Sequence, residues 1–159
     1  MEPTLQLLVN KLEETFGVKA TQEHGDPWLV LPADKIVAAC EQLKGMGFEL
    51  LSAMSAVDYW PAENPRFHVF YRFTSLSKNL RLGVRVPVPG VNPSIPTISH
   101  IYRNANWRER EIWDMFGLKF EGHPDLRRIL TDYGFIGHPL RKDFPVTGHV
   151  EMRYDPEQG

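Results

Sequence analysis

The chain has a single cysteine, Cys40, among its 159 residues. One cysteine excludes an internal disulfide framework and any site built on CxxC pairs. No stretch approaches the roughly 18 uninterrupted apolar residues of a membrane-spanning helix. Charge of one sign is also missing: the formal net charge is -2, which argues against general nucleic-acid binding. The N-terminus shows neither a basic start with an apolar core nor an Arg-rich presequence. The expectation is a soluble chain made where it works, reaching a membrane only through a partner. Internal repeats and low-complexity runs are absent. So are a His-x3-His zinc pair, a glycine-rich phosphate loop and a nucleophile elbow.

What is present is ordinary in bulk, with 42% hydrophobic and 24% charged residues, which suits one globular domain plus a tail. Leu5, Leu8, Val9, Leu12 and Phe16 recur at the helical period, so residues 3–16 are expected to form an amphipathic helix, with Pro3 in its first turn and Gly17 at its end. Val18–Gln22 and Trp28–Leu31 are short strand candidates around a turn at residues 24–27. Ala33–Lys44 reads as a second helix. Cys40 lies on its apolar stripe, as a buried structural thiol rather than a nucleophile. Phe48–Asp58 reads as a central strand covered on both faces. Residues 67–73 and 80–88 alternate with period two, as half-buried strands do. Short turns between them imply antiparallel pairing. The expected fold class is α+β: a two-layer sandwich of a mainly antiparallel sheet with helices on one face. Pro89–Pro96 reads as a rigid connector leaving the sheet, with one or two helical turns after it. The expected division is therefore an α+β body over residues 1–90, then a connector, a short helix and an extended docking tail over 91–159.

The densest run of charge, aromatics, glycine and histidine lies between Asn106 and Phe144. A helix over 107–116 is expected, with Asn106 as N-cap, Glu109 in capping-box position and Gly117 as the left-handed terminator. Arg108 and Arg110 sit at the end of this helix that disfavours cations, and Asp114 at the end that disfavours anions. Helix stability does not account for them, so they should meet fixed partners elsewhere in this chain or in another. Beyond Gly117, the motifs Gly122-His123-Pro124, Gly137-His138-Pro139 and Gly148-His149 break any long helix or central strand. Yet this stretch carries Leu126, Ile129, Leu130, Tyr133, Phe135, Ile136, Leu140 and Phe144, too apolar for a disordered tail. Aromatics interleaved with arginine suit a protein-docking surface.

Other chemistries fit less well. His123, Asp125, Asp132 and His138 converge on a metal only if the tail folds for it, and histidines in Gly-His-Pro turns more often cap local backbone. Glu109, Glu111 and Asp114 beside arginines should stay ionised rather than serve as acid and base. Arg127, Arg128, Arg141 and Lys142 form two basic pairs. Asp125, Asp132 and Asp143 nearby favour a protein partner over a nucleic acid.

The pattern Glu109-Arg110-Glu111, Asp114, Met115-Phe116, His123, Arg127, Arg128-Ile129-Leu130 resembles the signature of one family. That family is the thirty-kilodalton subunit, also called the C subunit, of respiratory complex I, the NADH–quinone oxidoreductase. The continuation Gly137-His138-Pro139-Leu140-Arg141-Lys142-Asp143-Phe144-Pro145 is equally typical. The resemblance implies a peripheral-arm subunit with no active site or cofactor of its own, flavin, iron–sulfur clusters and quinone belonging to partner subunits. It implies docking on the large hydrogenase-like (49 kDa-type) subunit and neighbouring iron–sulfur subunits, on the cytoplasmic (or matrix, or stromal) face of the membrane. The docking set it points to is Trp107, Arg108, Glu109, Arg110, Glu111, Asp114, His123, Arg127, Arg128, His138, Arg141 and Lys142. An equivalent subunit of a membrane-bound hydrogenase, or another complex I relative, is the alternative. A metal-dependent hydrolase built on His123, Asp125 and His138 is the distant one.

Overall fold

The computed structural model describes residues 3–147 and 154–157, so the Gly148-His149 motif lies outside the described residues. Helix α1 spans Pro3–Phe16 and turns Leu5, Val9 and Leu12 inward. Strands β1 (Ala20–Glu23) and β2 (Asp26–Val30) form an antiparallel hairpin. A single 3-10 turn at Ala33–Lys35 leads into α2 (Ile36–Gly45), which buries Ile36, Ala39, Cys40 and Leu43. Three long strands follow: β3 (Leu50–Asp58), β4 (Phe67–Ser75) and β5 (Leu80–Val88).

These five strands make one sheet in the order β1-β2-β5-β4-β3. The pairings β3–β4 and β4–β5 are antiparallel, and β2–β5 is parallel, with Trp28 opposite Gly83. The parallel pair follows from connectivity: α2, β3 and β4 intervene between β2 and β5, so the chain can return in the same direction. Gly83 is required there, because a Cβ would lie 2.3 Å from the Trp28 ring.

Alternation decides what the sheet covers. Phe67, Val69, Tyr71 and Phe73 of β4 and Leu80, Leu82, Val84, Val86 and Val88 of β5 are buried in one cluster with the inward residues of α1 and α2. Their neighbours His68, Phe70, Arg72, Arg85 and Pro87 lie on the opposite, partly open face. Each large apolar side chain so buried contributes about 1.5–3 kcal/mol. The fold is thus the expected α+β sandwich with one covered face. Strand β3 differs from expectation. It is an edge strand, not a central one, and its residues alternate between buried and exposed with a bulge between Leu51 and Ala53. Its run of small residues is what misled: Ser52, Ala53 and Ser55 look apolar enough to be covered but face outward.

The proline-rich link does not simply leave the sheet. Ser94–Pro96 forms β6, which pairs in parallel with β7 (Lys119–Glu121). Between them one turn closes at Ile98–Tyr102 and helix α3 runs from Ala105 to Phe116. Ile95, Ile98, Ile112, Met115, Phe116, Leu118 and Phe120 join the same core cluster as the sheet. Residues 91–121 therefore share the core of residues 1–90.

Candidate functional site: a charged helix and the segment wrapped on it

Helix α3 begins earlier than the capping pattern implied. Its first residue is Ala105, preceded by Asn104, and no side chain caps its N-terminus. The Asn104 amide instead donates to the Leu51 carbonyl at 2.7 Å, and the Tyr102 hydroxyl to the Phe48 carbonyl at 2.7 Å. The two bonds tie the helix entrance to β3 and to the turn that leads into it. The capping-box role of Glu109 is not realised. Its carboxylate is fully buried and accepts from the Ile98 N–H at 2.8 Å and from the Thr97 hydroxyl. The His123 Nε2 stands 3.7 Å away. Burial pushes the Glu109 carboxyl up to about 7, against the two hydrogen bonds that favour its charged form. The arginines beside it in sequence point elsewhere, so they do not keep it fully ionised as expected.

His123 is locked by backbone. Its Nδ1 accepts from the Asp125 N–H at 3.0 Å, so Nε2 carries the proton and donates to the Asn106 carbonyl at 3.0 Å. The turn after β7 is thereby fastened to the first turn of α3.

Arg110 and Asp114 do not pair with each other. Arg110 reaches the Arg127 and Arg128 carbonyls through Nε (3.1 Å) and Nη2 (3.0 Å). Asp114, with no exposed side-chain surface, is the hub of the whole segment. Its carboxylate accepts from Arg128 Nη1 (2.6 Å), the Thr131 hydroxyl (2.6 Å), and the successive backbone N–H groups of Ile129, Leu130 and Thr131 at 3.1, 2.8 and 2.9 Å. Burial alone would raise the Asp114 carboxyl. The hydrogen bonds from Thr131, Leu130 and Arg128 outweigh it and hold the group well below the usual carboxylate range. This explains an acid in the last turn of a helix: its compensation comes from the loop it gathers, not from the helix. Arg128 also donates to the Gly137 carbonyl at 3.0 Å and lies between the Trp113 and Phe135 rings, 5.6 Å from each centroid.

The rest of the segment closes around the end of α3. Gly117 takes φ +73°, and a Cβ there would meet Arg141 Nη2 and the His138 ring at 2.6 Å. Glycine thus serves both the left-handed turn and the close approach. His138 bonds the Asp114 carbonyl through Nδ1 at 2.9 Å, Arg141 donates to the Phe116 carbonyl at 2.6 Å, and the Leu140 N–H to the Met115 carbonyl at 3.0 Å. Burial moves His138 below its ordinary value, against the bond to the Asp114 carbonyl, and the Arg141 and Arg128 charges push the same way as burial. The far end is clamped to the sheet. Arg66 forks onto Asp58 at 3.0 Å for both bonds, pairs with Asp143 at 2.8 Å, and the Lys142 N–H donates to Asp58 at 2.8 Å.

Of the twelve residues singled out in the sequence, the structure turns Glu109, Arg110, Asp114, His123, Arg128, His138 and Arg141 inward onto partners within this chain. Trp107, Arg108, Glu111, Arg127 and Lys142 face outward or lie at the rim, with Arg108 and Glu111 paired at 3.4 Å and Arg127 with Asp125 at 2.7 Å. Thr97, Thr131, Asp58 and Arg66 escaped sequence reasoning as site residues, and Asp143 entered it only as an acid beside the basic pairs. Asp58 alone left a trace: it continues the inward phase of Leu51-bulge-Met54-Ala56 where an apolar residue belongs. Along the outer side of the segment Leu130, Tyr133, Ile136, Leu140 and Val146 are exposed, Ile136 by 87%, beside the exposed charges Asp132, Lys142 and Asp143, while Arg128, His138 and Arg141 are turned in.

Among the described residues no group of three or more His, Cys, Asp and Glu is placed to hold a metal. Asp125 is exposed and paired with Arg127, while the His123 and His138 rings are taken up by separate backbone carbonyls. No described helix is long and apolar enough to cross a membrane. What the arrangement does is fold an irregular chain segment into a fixed surface.

Residues 29–150 match the family model for the respiratory-chain NADH dehydrogenase 30 kDa subunit. A protein of Burkholderia thailandensis, named as the C subunit of NADH-quinone oxidoreductase, is 44% identical, over 99% of this chain and 85% of that one. One of the same name from Laribacter hongkongensis is 43% identical, over 100% of this chain and 87% of its own length. Among solved structures, the trypsin-resistant fragment (1–134) of Nqo5 superposes with a TM-score of 0.70 and 35% identity, covering 77% of this chain and 99% of that fragment. A chain of the membrane-bound sulfane sulfur reductase, an archaeal respiratory membrane complex, superposes with a TM-score of 0.76 at 26% identity, covering 89% and 85%. The chain belongs to the family of the 30 kDa subunit of respiratory-chain NADH dehydrogenase.

Proposed function

We propose that this chain is a non-catalytic peripheral-arm subunit of a proton-translocating NADH–quinone oxidoreductase, and that its work is assembly. In that complex, electrons pass from NADH through flavin and iron–sulfur clusters of partner subunits to quinone. This chain docks on the large hydrogenase-like subunit and its iron–sulfur neighbours, on the cytoplasmic (or matrix, or stromal) side, and holds them in the geometry that electron transfer requires. It contributes no flavin, cluster or quinone ligand.

The observation that carries the reading is the row of exposed apolar side chains along residues 129–146. Seven of the signature side chains are consumed in ordering the segment, and Leu130, Tyr133, Ile136, Leu140 and Val146 face out. Exposed apolar groups gathered on one surface and rimmed by polar ones mark a protein contact. The inward charges thus act on the partner indirectly, by fixing the surface it meets. The docking role divides accordingly: Trp107, Arg108, Glu111, Arg127 and Lys142 reach the partner, and Glu109, Arg110, Asp114, His123, Arg128, His138 and Arg141 position the segment.

The likeness to a chain of an archaeal sulfane sulfur reductase favours a second reading, in which the same docking surface serves a complex fed by another electron donor. The identities of 43–44% to NADH-quinone oxidoreductase subunits favour the first. The test is a mild-detergent pull-down of tagged chain from its native membranes. Co-purification with the hydrogenase-like subunit and NADH–quinone activity supports the first reading. Co-purification with that subunit but without NADH-oxidising partners supports the second. A chain recovered alone refutes both.

A further inference from the structure

The N-terminal half of α3 borders two open cavities, one of which reaches Ile129 and Leu130 of the segment described above. Trp107 is 70% exposed and makes no ring contact, and the Arg103 guanidinium has no ion pair or hydrogen bond among the described residues. The two cavities share Trp107 and Arg103 in their linings. One, of about 600 Å³, is lined by His100 and Asn106 and has no carboxylate in its lining. The other, of about 560 Å³, runs past Arg108 and Glu111 to Ile129 and Leu130. Glu111, the one acid among the described residues lining the two cavities, is already joined to Arg108. The first turn of α3 contains no acidic residue, so its backbone N–H groups add to the positive field there.

This local excess of cationic groups sits in a chain whose formal net charge is -2. An exposed tryptophan beside an unpaired arginine is the composition of an interface hot spot, where the ring gives apolar area and the guanidinium a directional charge. Resting on the assembly reading above, we infer that the double cleft around Trp107 receives an extended acidic segment of a neighbouring subunit. A carboxylate of that segment pairs with Arg103, and an apolar side chain covers Trp107 and Leu130. Two open cavities with shared lining residues suit a strand of chain that runs through both, rather than one enclosed small molecule.

The test uses the intact oxidoreductase complex carrying Trp107→p-benzoylphenylalanine, irradiated and mapped by mass spectrometry. Because Trp107 is exposed, the exchange leaves the core untouched. The expected product is an adduct to a partner segment with aspartate or glutamate beside the linked residue. Adding Arg103→Glu should lower the adduct yield by about tenfold or more, as losing a close charge pair does, while Arg103→Lys should largely keep it. No adduct, an adduct to lipid, or an adduct to a segment without carboxylates, in a complex that contains the chain, would overturn this inference and leave the assembly reading standing. A chain that never enters the complex would overturn both.

Discussion

Removing the Asp114 carboxylate should release the segment it gathers while leaving the sheet intact. Five donors converge on this group. Summing about 1.5–3 kcal/mol for each hydrogen bond to a charged group would overcount, because the bonds form and break together. A better bound is the cost of breaking a buried ion pair, about 3–5 kcal/mol. The low end applies, since the Arg128 side chain is 17% exposed and keeps its bond to the Gly137 carbonyl. The Leu130 N–H lies beside an exposed side chain and can be rehydrated. Asp114→Ala should then lower the free energy of local opening by about 3 kcal/mol, which is about two decades in an exchange equilibrium. Amide hydrogen exchange reads this directly. The amides of Ile129, Leu130 and Thr131 should exchange about a hundredfold faster, and those of β4 should be unchanged. Asp114→Asn keeps one acceptor oxygen without the charge and should fall between the two. Equal acceleration in β4 would mean that Asp114 supports the core rather than the segment. Unchanged exchange at 129–131 would mean that the carboxylate does not hold them at all.

Further outcomes follow from the same contacts. The Glu109 carboxyl is raised to about 7 in the fold and stands near 4.3 unfolded. Its contribution is fully present below the unfolded value and lost as pH rises toward 7, so Glu109→Gln should flatten the fall in stability between about pH 4 and 7; an unchanged urea midpoint profile would contradict this. Asp58 and Asp114 work in the opposite sense, both lowered in the fold, so their contribution holds above about pH 4 and is lost on further acidification. Asp58→Ala leaves the buried Arg66 with only the part-exposed Asp143 as a close partner and should cost about 3 kcal/mol in urea unfolding, whereas a loss below about 0.5 kcal/mol, the level of a surface change, would remove the clamp from the account. Gly117→Ala forces an L side chain to φ +73° against Arg141 and His138; a loss of about 1–3 kcal/mol is expected, and a calorimetric midpoint equal to the parent's would refute it. Tyr133→Ser with Ile136→Ser should leave stability within about 0.5 kcal/mol and still abolish co-purification with the large subunit; assembly at the parent level would refute the apolar contact.

Much of this was legible in the sequence, and the remainder was hidden for physical reasons. Period two in residues 67–73 and 80–88 and the helical stripe of Leu5, Val9 and Leu12 mark a local geometry, so β4, β5 and α1 were readable. The parallel pairing of β2 with β5 depends on partners more than fifty residues apart and leaves no local trace. The poor fit of Arg110 and Asp114 to their own helix was visible as a conflict with its dipole. Their partners were not, because backbone N–H and carbonyl groups carry no sequence label. Three successive amides bind Asp114, and two successive carbonyls bind Arg110. For the same reason Glu109 looked like a cap residue, whereas it faces Thr97 and Ile98 across a turn. Strand β7 was missed because its three residues lie between two glycines.

The central claim is that signature charges order residues 128–146 so that their apolar side chains meet a partner. Hydroxyl-radical footprinting of this chain, alone and within the purified complex, tests it most directly. The account predicts that Tyr133, Ile136 and Leu140 are labelled in the isolated chain and protected in the complex, with Trp113 and Phe135 shielded in both. Equal labelling of Tyr133, Ile136 and Leu140 in the two states would contradict it.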